Sequence, residues 1–188
     1  MVFIAEDGKG DPNTSEEYKS ALEALYGLSY SIKMSKMSGT QPEGYFDYVV
    51  PPLEGFWNVG DDAFKDGGAA ITDKSKFEWT SVIRQPDFVT PEVFEAAKVA
   101  LAKKKPEIDL SKARLMKFTE GLCVQVMHIG SYENEPATIA AMERYAVEKG
   151  FAIDVNEKRR HHEIYLSDPR KAAPEKLKTV IRHPIRKG

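Results

Sequence analysis

The sequence predicts an α+β fold: two strand-helix-strand-strand units, related by duplication and paired about a pseudo-twofold axis with a cleft between them. Three observations predict it. The pentapeptides VIRQP (82–86) and VIRHP (180–184) are nearly one word written twice. Each closes a run in which an extended segment, a helical segment and two further extended segments follow in the same order. A unit of this size also buries too little apolar surface to stand alone, so the halves should pair. Facing half-barrels leave a cleft of the kind that ligands occupy.

Residues 2–5 read as a strand entering the glycine-bearing loop 7–13. Thr14 or Ser15 then caps a helix with Glu16 and Glu17 in its first turn, which suits the helix dipole. Tyr18, Ala21, Leu22, Leu25, Leu28, Ser29 and Ile32 recur at helical spacing, and Ser38-Gly39 and Gln41-Pro42 end the run. Residues 45–50 read as a strand that Pro51-Pro52 terminates, because proline cannot donate to a ladder; 53–57 then follow as a rigid loop. A polar, glycine-rich hairpin connection, 60–75, leads to a strand at 77–83 that is rich in aromatic and β-branched residues.

A connecting helix over 91–105 has proline in its first turn and lysines at its end. The pattern then returns: a strand at 121–129, a turn at 130–134, and a helix at 136–149 whose stripe is Ile139, Met142, Tyr145 and Ala146, closed by Gly150. Strands at 162–166 and 177–182 complete it. The chain therefore reads as one domain over 1–188, with repeat one at about 1–90, the connecting helix at about 91–105 and repeat two at about 112–188. Arg84 and Arg182 should occupy corresponding places in the two repeats.

With 41% hydrophobic and 30% charged residues, the chain can build a core and stay soluble. Its net charge of −2 argues against a dedicated nucleic-acid binder. The basic runs 103–105 and 158–160 are isolated and read as solvated ends. The single cysteine, Cys123, has no internal disulfide partner and fits a reducing compartment; its place in LCVQVMHI suggests a small buried role. Residues 1–6 are too short for a signal peptide, and no transmembrane run follows, so a cytoplasmic protein without membrane association is expected.

The most informative strand is HHEIYL, 161–166. Alternation places Ile164 and Leu166 on one face, toward the helix, and Glu163 and Tyr165 on the other, toward the cleft. The competing reading is that this second face is simply wet. Glu54, Phe56 and Trp57 in the rigid loop form a candidate pocket wall, or else a hydrophobic plug. Tyr48, Trp79 and Tyr132 are further aromatic candidates. His161 and His162 point to opposite faces, and no HExxH or CxxC spacing, GxSxG elbow or P-loop is present. His128 reads as a structural histidine. The chemistry expected is therefore free of metal and cofactor.

The duplicated plan, VMHIGSYENEPATI, HHEIYLSDPRK and KTVIRHPI together resemble the GyrI-like small-molecule-binding family, which is built from SHS2-type repeats. VVPPLEGFW and WTSVIRQPDFVTPE resemble its stand-alone branch, and the similarity covers nearly the whole chain. One departure is that the first strand comes almost at the start of the chain, where stand-alone members carry a preceding segment that would act as a lid or edge strand. The resemblance implies a hydrophobic pocket between the repeats with a glutamate at its floor, matched by Glu163, with Tyr165 in the same motif. Trp57 and Glu54 match the aromatic loop of the branch.

Some stand-alone members are cyclopropanoid hydrolases that open the strained ring of DNA-alkylating natural products. The function implied is hydrolysis of a hydrophobic aromatic small molecule, with Glu163 as base and Tyr165 orienting the water or Glu163. Two alternatives stand beside it. One is a non-catalytic binder of lipophilic, cationic or aromatic drugs with Glu163 as counter-ion. The other is a gyrase-inhibitor-like interaction module, against which the lack of a long acidic run argues, as it does against a protein partner. No helix-turn-helix accompanies the domain, so the DNA-binding version of the family is not expected.

Overall fold

A computed structural model describes residues 1–58 and 76–188. The described chain is α+β, with eight strands, three α-helices and antiparallel pairing, and it divides into two compact units. The connection expected at 60–75 lies outside the described residues.

The first unit comprises Met1–Gly8, Pro12–Leu53 and Thr80–Thr119. Strand β1 (Val2–Lys9) is flanked by β4 (Arg114–Lys117) and β3 (Glu78–Gln85). Helix α1 (Glu16–Lys33) begins as the sequence indicates: the Ser15 hydroxyl accepts from the Tyr18 N–H, with Glu16 and Glu17 in the first turn. Its buried face is Ala21, Ala24, Leu25, Leu28, Ser29 and Ile32. Helix α2 (Pro91–Lys104) is capped by Thr90 and packs on α1. Residues 45–50 form no strand. Tyr45, Phe46 and Tyr48 instead gather around Phe88, with ring centroids 5.4–5.9 Å from it. A run rich in aromatics satisfies strand composition equally well as an irregular cluster.

The second unit comprises Lys9–Asp11, Glu120–Gly188 and the described parts of Glu54–Trp79. Its sheet runs β2 (Leu53–Asn58), β7 (His161–Tyr165), β8 (Lys178–Lys187), β5 (Cys123–Ile129), with β6 (Phe151–Ile153) pairing the far end of β8. Helix α3 (Glu135–Glu148) packs on β5, β6 and β8. Pro51-Pro52 therefore precede a strand rather than end one, and the loop expected at 53–57 is β2, four of whose residues pair with β7. Proline at the mouth of a strand removes only donors that the ladder does not use.

The two VIR-x-Pro segments also differ in outcome. Strand β3 stops at Gln85, before Pro86, whereas β8 continues through Pro184 to Lys187. Pro184 keeps its place because its carbonyl accepts from the Asp154 N–H and the next donor, Ile185, reaches the Leu122 carbonyl. Strands β4 and β6 are too short, at four and three residues, to show a period in the sequence. On α3 the buried stripe is Glu135, Met142 and Ala146, and Tyr145 is exposed. The helix turns three polar side chains, Glu135, Thr138 and Glu143, toward the sheet, so a reading of apolar spacing alone misses its orientation.

Candidate functional site

The two faces of β7 each carry a polar cluster, and both clusters lie within the second unit. Register pairs Gly55 with Glu163, Phe56 with His162 and Trp57 with His161 across β2 and β7. On one face, Glu163 Oε1 meets His161 Nε2 at 2.7 Å and Oε2 accepts from the Tyr165 hydroxyl at 2.7 Å. That hydroxyl in turn accepts from the Trp57 indole N–H at 2.8 Å. The Glu163 side chain is only 13% exposed. Tyr132 stands edge-on to Tyr165 with centroids 6.1 Å apart and, at 37% exposed, is the more solvent-accessible aromatic beside Trp57.

Glu163 and Tyr165 share a face, as alternation requires, but it is the face toward α3. From that helix Glu143 meets His183 Nδ1 at 2.8 Å, and His183 Nε2 meets His161 Nδ1 at 2.7 Å. Glu135, also on α3 and buried, shares a side-chain hydrogen bond with Glu163. The expectation that Ile164 and Leu166 face the helix is therefore reversed: Leu166 is exposed, and the helix side of the sheet is polar.

Electrostatics split the carboxyl pair. Burial acts to raise the Glu163 pKa, but the His161, Tyr165 and Glu135 hydrogen bonds and the His161 charge outweigh it and hold the group below its ordinary value. Glu135 goes the other way: burial, then the charge of Glu163, drive its pKa well up. Desolvation alone predicts a raised Glu163. The structure instead puts the raised group on Glu135, because the donors converge on Glu163. Two carboxyls with opposed pKa shifts are a recurring basis for acid and base roles.

The opposite face holds His162, buried between Glu54 Oε2 at 2.8 Å and Glu120 Oε1 at 2.6 Å, with Phe56 stacked on its ring at 4.2 Å. Arg182 Nη1 completes the set on Glu120 Oε2 at 2.9 Å. Glu54 and Phe56 are thus buried partners of His162. Trp57, 8% exposed, is packed edge-on against Phe77 and hydrogen-bonded to Tyr165. Trp79 is buried in β3, and Tyr48 belongs to the aromatic cluster of the first unit. His128 bonds Thr138 Oγ1 and the Ser131 carbonyl. Burial pushes the Cys123 thiol up to about 11, away from a thiolate nucleophile. Among the described residues, no group of three or more His, Cys, Asp or Glu side chains could hold a metal ion, and no helix is long and apolar enough to cross a membrane.

Gly55 leaves the space the Trp57 indole uses: a Cβ there would stand 2.6 Å from Trp57 Nε1 and 3.1 Å from the Tyr165 hydroxyl. Gly55→Ala is expected to push the indole off Tyr165. The Trp57 indole N–H resonance should shift in a protein that still unfolds cooperatively; an unmoved resonance would show that the glycine is dispensable.

Glu135, Glu143, His183 and Glu120 were not singled out from the sequence. A signal for three of them exists. Histidine occurs in both HHEIY and VIRHP, and glutamates at 135 and 143 sit two turns apart on one helix.

The chain matches the model of the GyrI-like small molecule binding domain over residues 2–186. A crystal structure of an uncharacterised conserved protein from Listeria innocua superposes with a TM-score of 0.89 at 50% identity, covering 99% of this chain and 88% of that one. One described as a hydrolase from Listeria innocua gives 0.88 at 48% identity, covering 99% and 87%. The C-terminal domain of EcmrR shares the fold alone, with a TM-score of 0.50 at 10% identity over 100% of this chain and 92% of that one. No curated protein matches the chain.

Proposed function

The chain belongs to the GyrI-like small-molecule-binding family, and from that premise we propose that it is a cofactor-independent hydrolase opening the cyclopropane ring of electrophilic aromatic compounds. The observation that carries the proposal is the buried carboxylate Glu163, held by His161 and by the Tyr165 hydroxyl that Trp57 also bonds, beside Tyr132; its pKa is drawn below the ordinary value while that of neighbouring Glu135 is raised. The Listeria innocua protein described as a hydrolase, at 48% identity over nearly the whole chain, supports hydrolysis as the reaction class.

Water attacks a ring carbon. Its oxygen forms the new C–O bond, Glu163 takes its proton, and the breaking C–C bond sends its electron pair into the conjugated carbonyl, which becomes a phenol on taking up a proton. Relief of ring strain supplies driving force, so a carboxylate of modest basicity suffices. Tyr165, held by Trp57 and Glu163, orients the attacking water, and aromatic contact holds a flat substrate in line. We also take the two strand-helix-strand-strand runs to be copies of one ancestral unit, with Arg84 and Arg182 corresponding.

A second reading has its own support: a carboxylate held ionised in a buried setting is a strong counter-charge for a lipophilic cation, and a binder needs nothing more. Incubation with a cyclopropanoid in ¹⁸O-water separates them. A ring-opened product carrying one ¹⁸O is expected; recovery of intact ligand, retained in stoichiometric amount, would establish the binder instead.

A further inference from the structure

The geometry points to a proton relay that joins Glu163 to solvent through His161, His183 and Glu143; it rests on Glu163 acting as the base. Three contacts of 2.7, 2.7 and 2.8 Å link the four groups in a line: Glu163 Oε1 to His161 Nε2, His161 Nδ1 to His183 Nε2, and His183 Nδ1 to Glu143 Oε1. The two histidines are buried, His183 completely, whereas the Glu143 side chain, at the edge of the helix–sheet contact, is 35% exposed. The line therefore begins at the candidate base and ends in water.

Proton counting gives the line its property. Each short contact between two acceptor-capable atoms needs one proton, so three contacts hold three protons. Two neutral imidazoles supply two. With all three contacts made, the chain carries one proton more than two carboxylates and two neutral imidazoles contain. That excess can sit as the Glu163 acid, the His161 imidazolium, the His183 imidazolium or the Glu143 acid, because sliding the proton within one contact converts each form to the next. No bond other than N–H and O–H is made or broken, and total charge is conserved. The proton that Glu163 takes from water can thus leave at Glu143 without opening the site, and one entering at Glu143 can return to Glu163.

Glu163 is held ionised with His161 as a principal cause, and His183 is pushed below its ordinary value by burial and by the His161 charge. Among the described residues, the other titratable groups facing the line are Glu135 from α3, Tyr165 on β7 and Tyr132 in the turn before α3. Burial and the Glu163 charge hold the Glu135 pKa well above its ordinary value, and burial raises Tyr132 to about 12, so neither competes as an exit near neutrality. Purely structural histidines would need only one donor and one acceptor each. An unbroken line from a buried carboxylate to an exposed one is what transport requires.

The test is Glu143→Gln, with Glu148→Gln on the exposed side of α3 as control. Glutamine still accepts from His183 Nδ1 but cannot take its proton. The first turnover should survive, while steady-state turnover falls by about a hundredfold, the lower end of what a positioned proton transfer contributes. A burst of one product per enzyme should appear, and added imidazole buffer should restore the rate. In ¹⁵N spectra of the imidazoles, tautomer populations should change at both His183 and His161. Wild-type steady-state turnover together with unaltered His161 signals would overturn the relay while leaving Glu163 chemistry intact. If the wild-type protein opens no ring but His161 still responds to Glu143→Gln, the relay stands and the hydrolase reading falls.

Discussion

Single-turnover ring opening by Glu163→Gln is expected to be about 10²–10⁴-fold slower than wild type, the usual contribution of a positioned general base. Glutamine keeps the length and one carbonyl acceptor. It cannot replace an anion that receives both the His161 ring and the Tyr165 hydroxyl, since its amide nitrogen donates where the second acceptor stood. Tyr165 can turn its hydroxyl and still take the Trp57 indole N–H, so the strands should stay together. Binding of a neutral aromatic should change little, while a cationic ligand should bind more weakly because its counter-charge has gone. Tyr165→Phe should cost less, as water can replace a hydroxyl that only orients.

The pH profile adds a sign. Glu163 is lowered, so the rate should fall only below the ordinary carboxylate range, as the base becomes protonated. Glu135 is raised, so a second fall should come on the alkaline side as its proton is lost. The two limbs belong to the coupled pair rather than to either residue alone. Wild-type turnover retained by Glu163→Gln would remove Glu163 from the mechanism.

Local order was legible from the sequence wherever the deciding interaction is local. Ser15, one of the two caps read for the first helix, caps it, and the alternation of HHEIY places Glu163 and Tyr165 on one face. Direction was not legible. Which side of β7 faces α3 depends on polar pairs distant in sequence, His183 with Glu143 and Glu135 with Glu163, and an apolar stripe cannot announce a polar interface. The Pro51-Pro52 pair misled for a related reason. Proline marks a strand boundary without saying on which side the strand lies, and only pairing with β7 decides it. The aromatic loop resolved likewise: Phe56 and Glu54 turn to His162 while Gly55 and Trp57 turn to Tyr165, because the segment is a strand and alternates.

On the other face of β7, His162→Leu is expected to destabilise the protein by about 3–5 kcal/mol, the cost of removing one partner from a buried ion pair. Leucine matches the ring poorly but keeps its apolar contact with Phe56; the penalty comes from what is left behind. Glu120 retains Arg182, whereas Glu54, whose side chain is 8% exposed, loses the His162 ring that bonds it. The dependence on pH identifies the cause. Burial opposes charging of His162, but its hydrogen bonds to Glu120 and Glu54 prevail and raise its pKa above the ordinary 6.5. A raised group stabilises the fold fully below its unfolded value and loses that contribution as pH rises through the folded value. Glu120 is lowered from 4.5, because His162 and Arg182 outweigh its burial, so its contribution is present above that value and lost as pH falls through the folded one. The contribution of this cluster should therefore be greatest between about 4.5 and 6.5 and weaken toward alkaline pH as His162 discharges. In His162→Leu the alkaline decline should flatten, so the gap to wild type is widest near pH 6 and narrows above it. Urea unfolding at pH 6 and pH 9 measures both. A loss below about 1 kcal/mol at pH 6, or a gap independent of pH, would show that the imidazole packs in this cluster without carrying its charge.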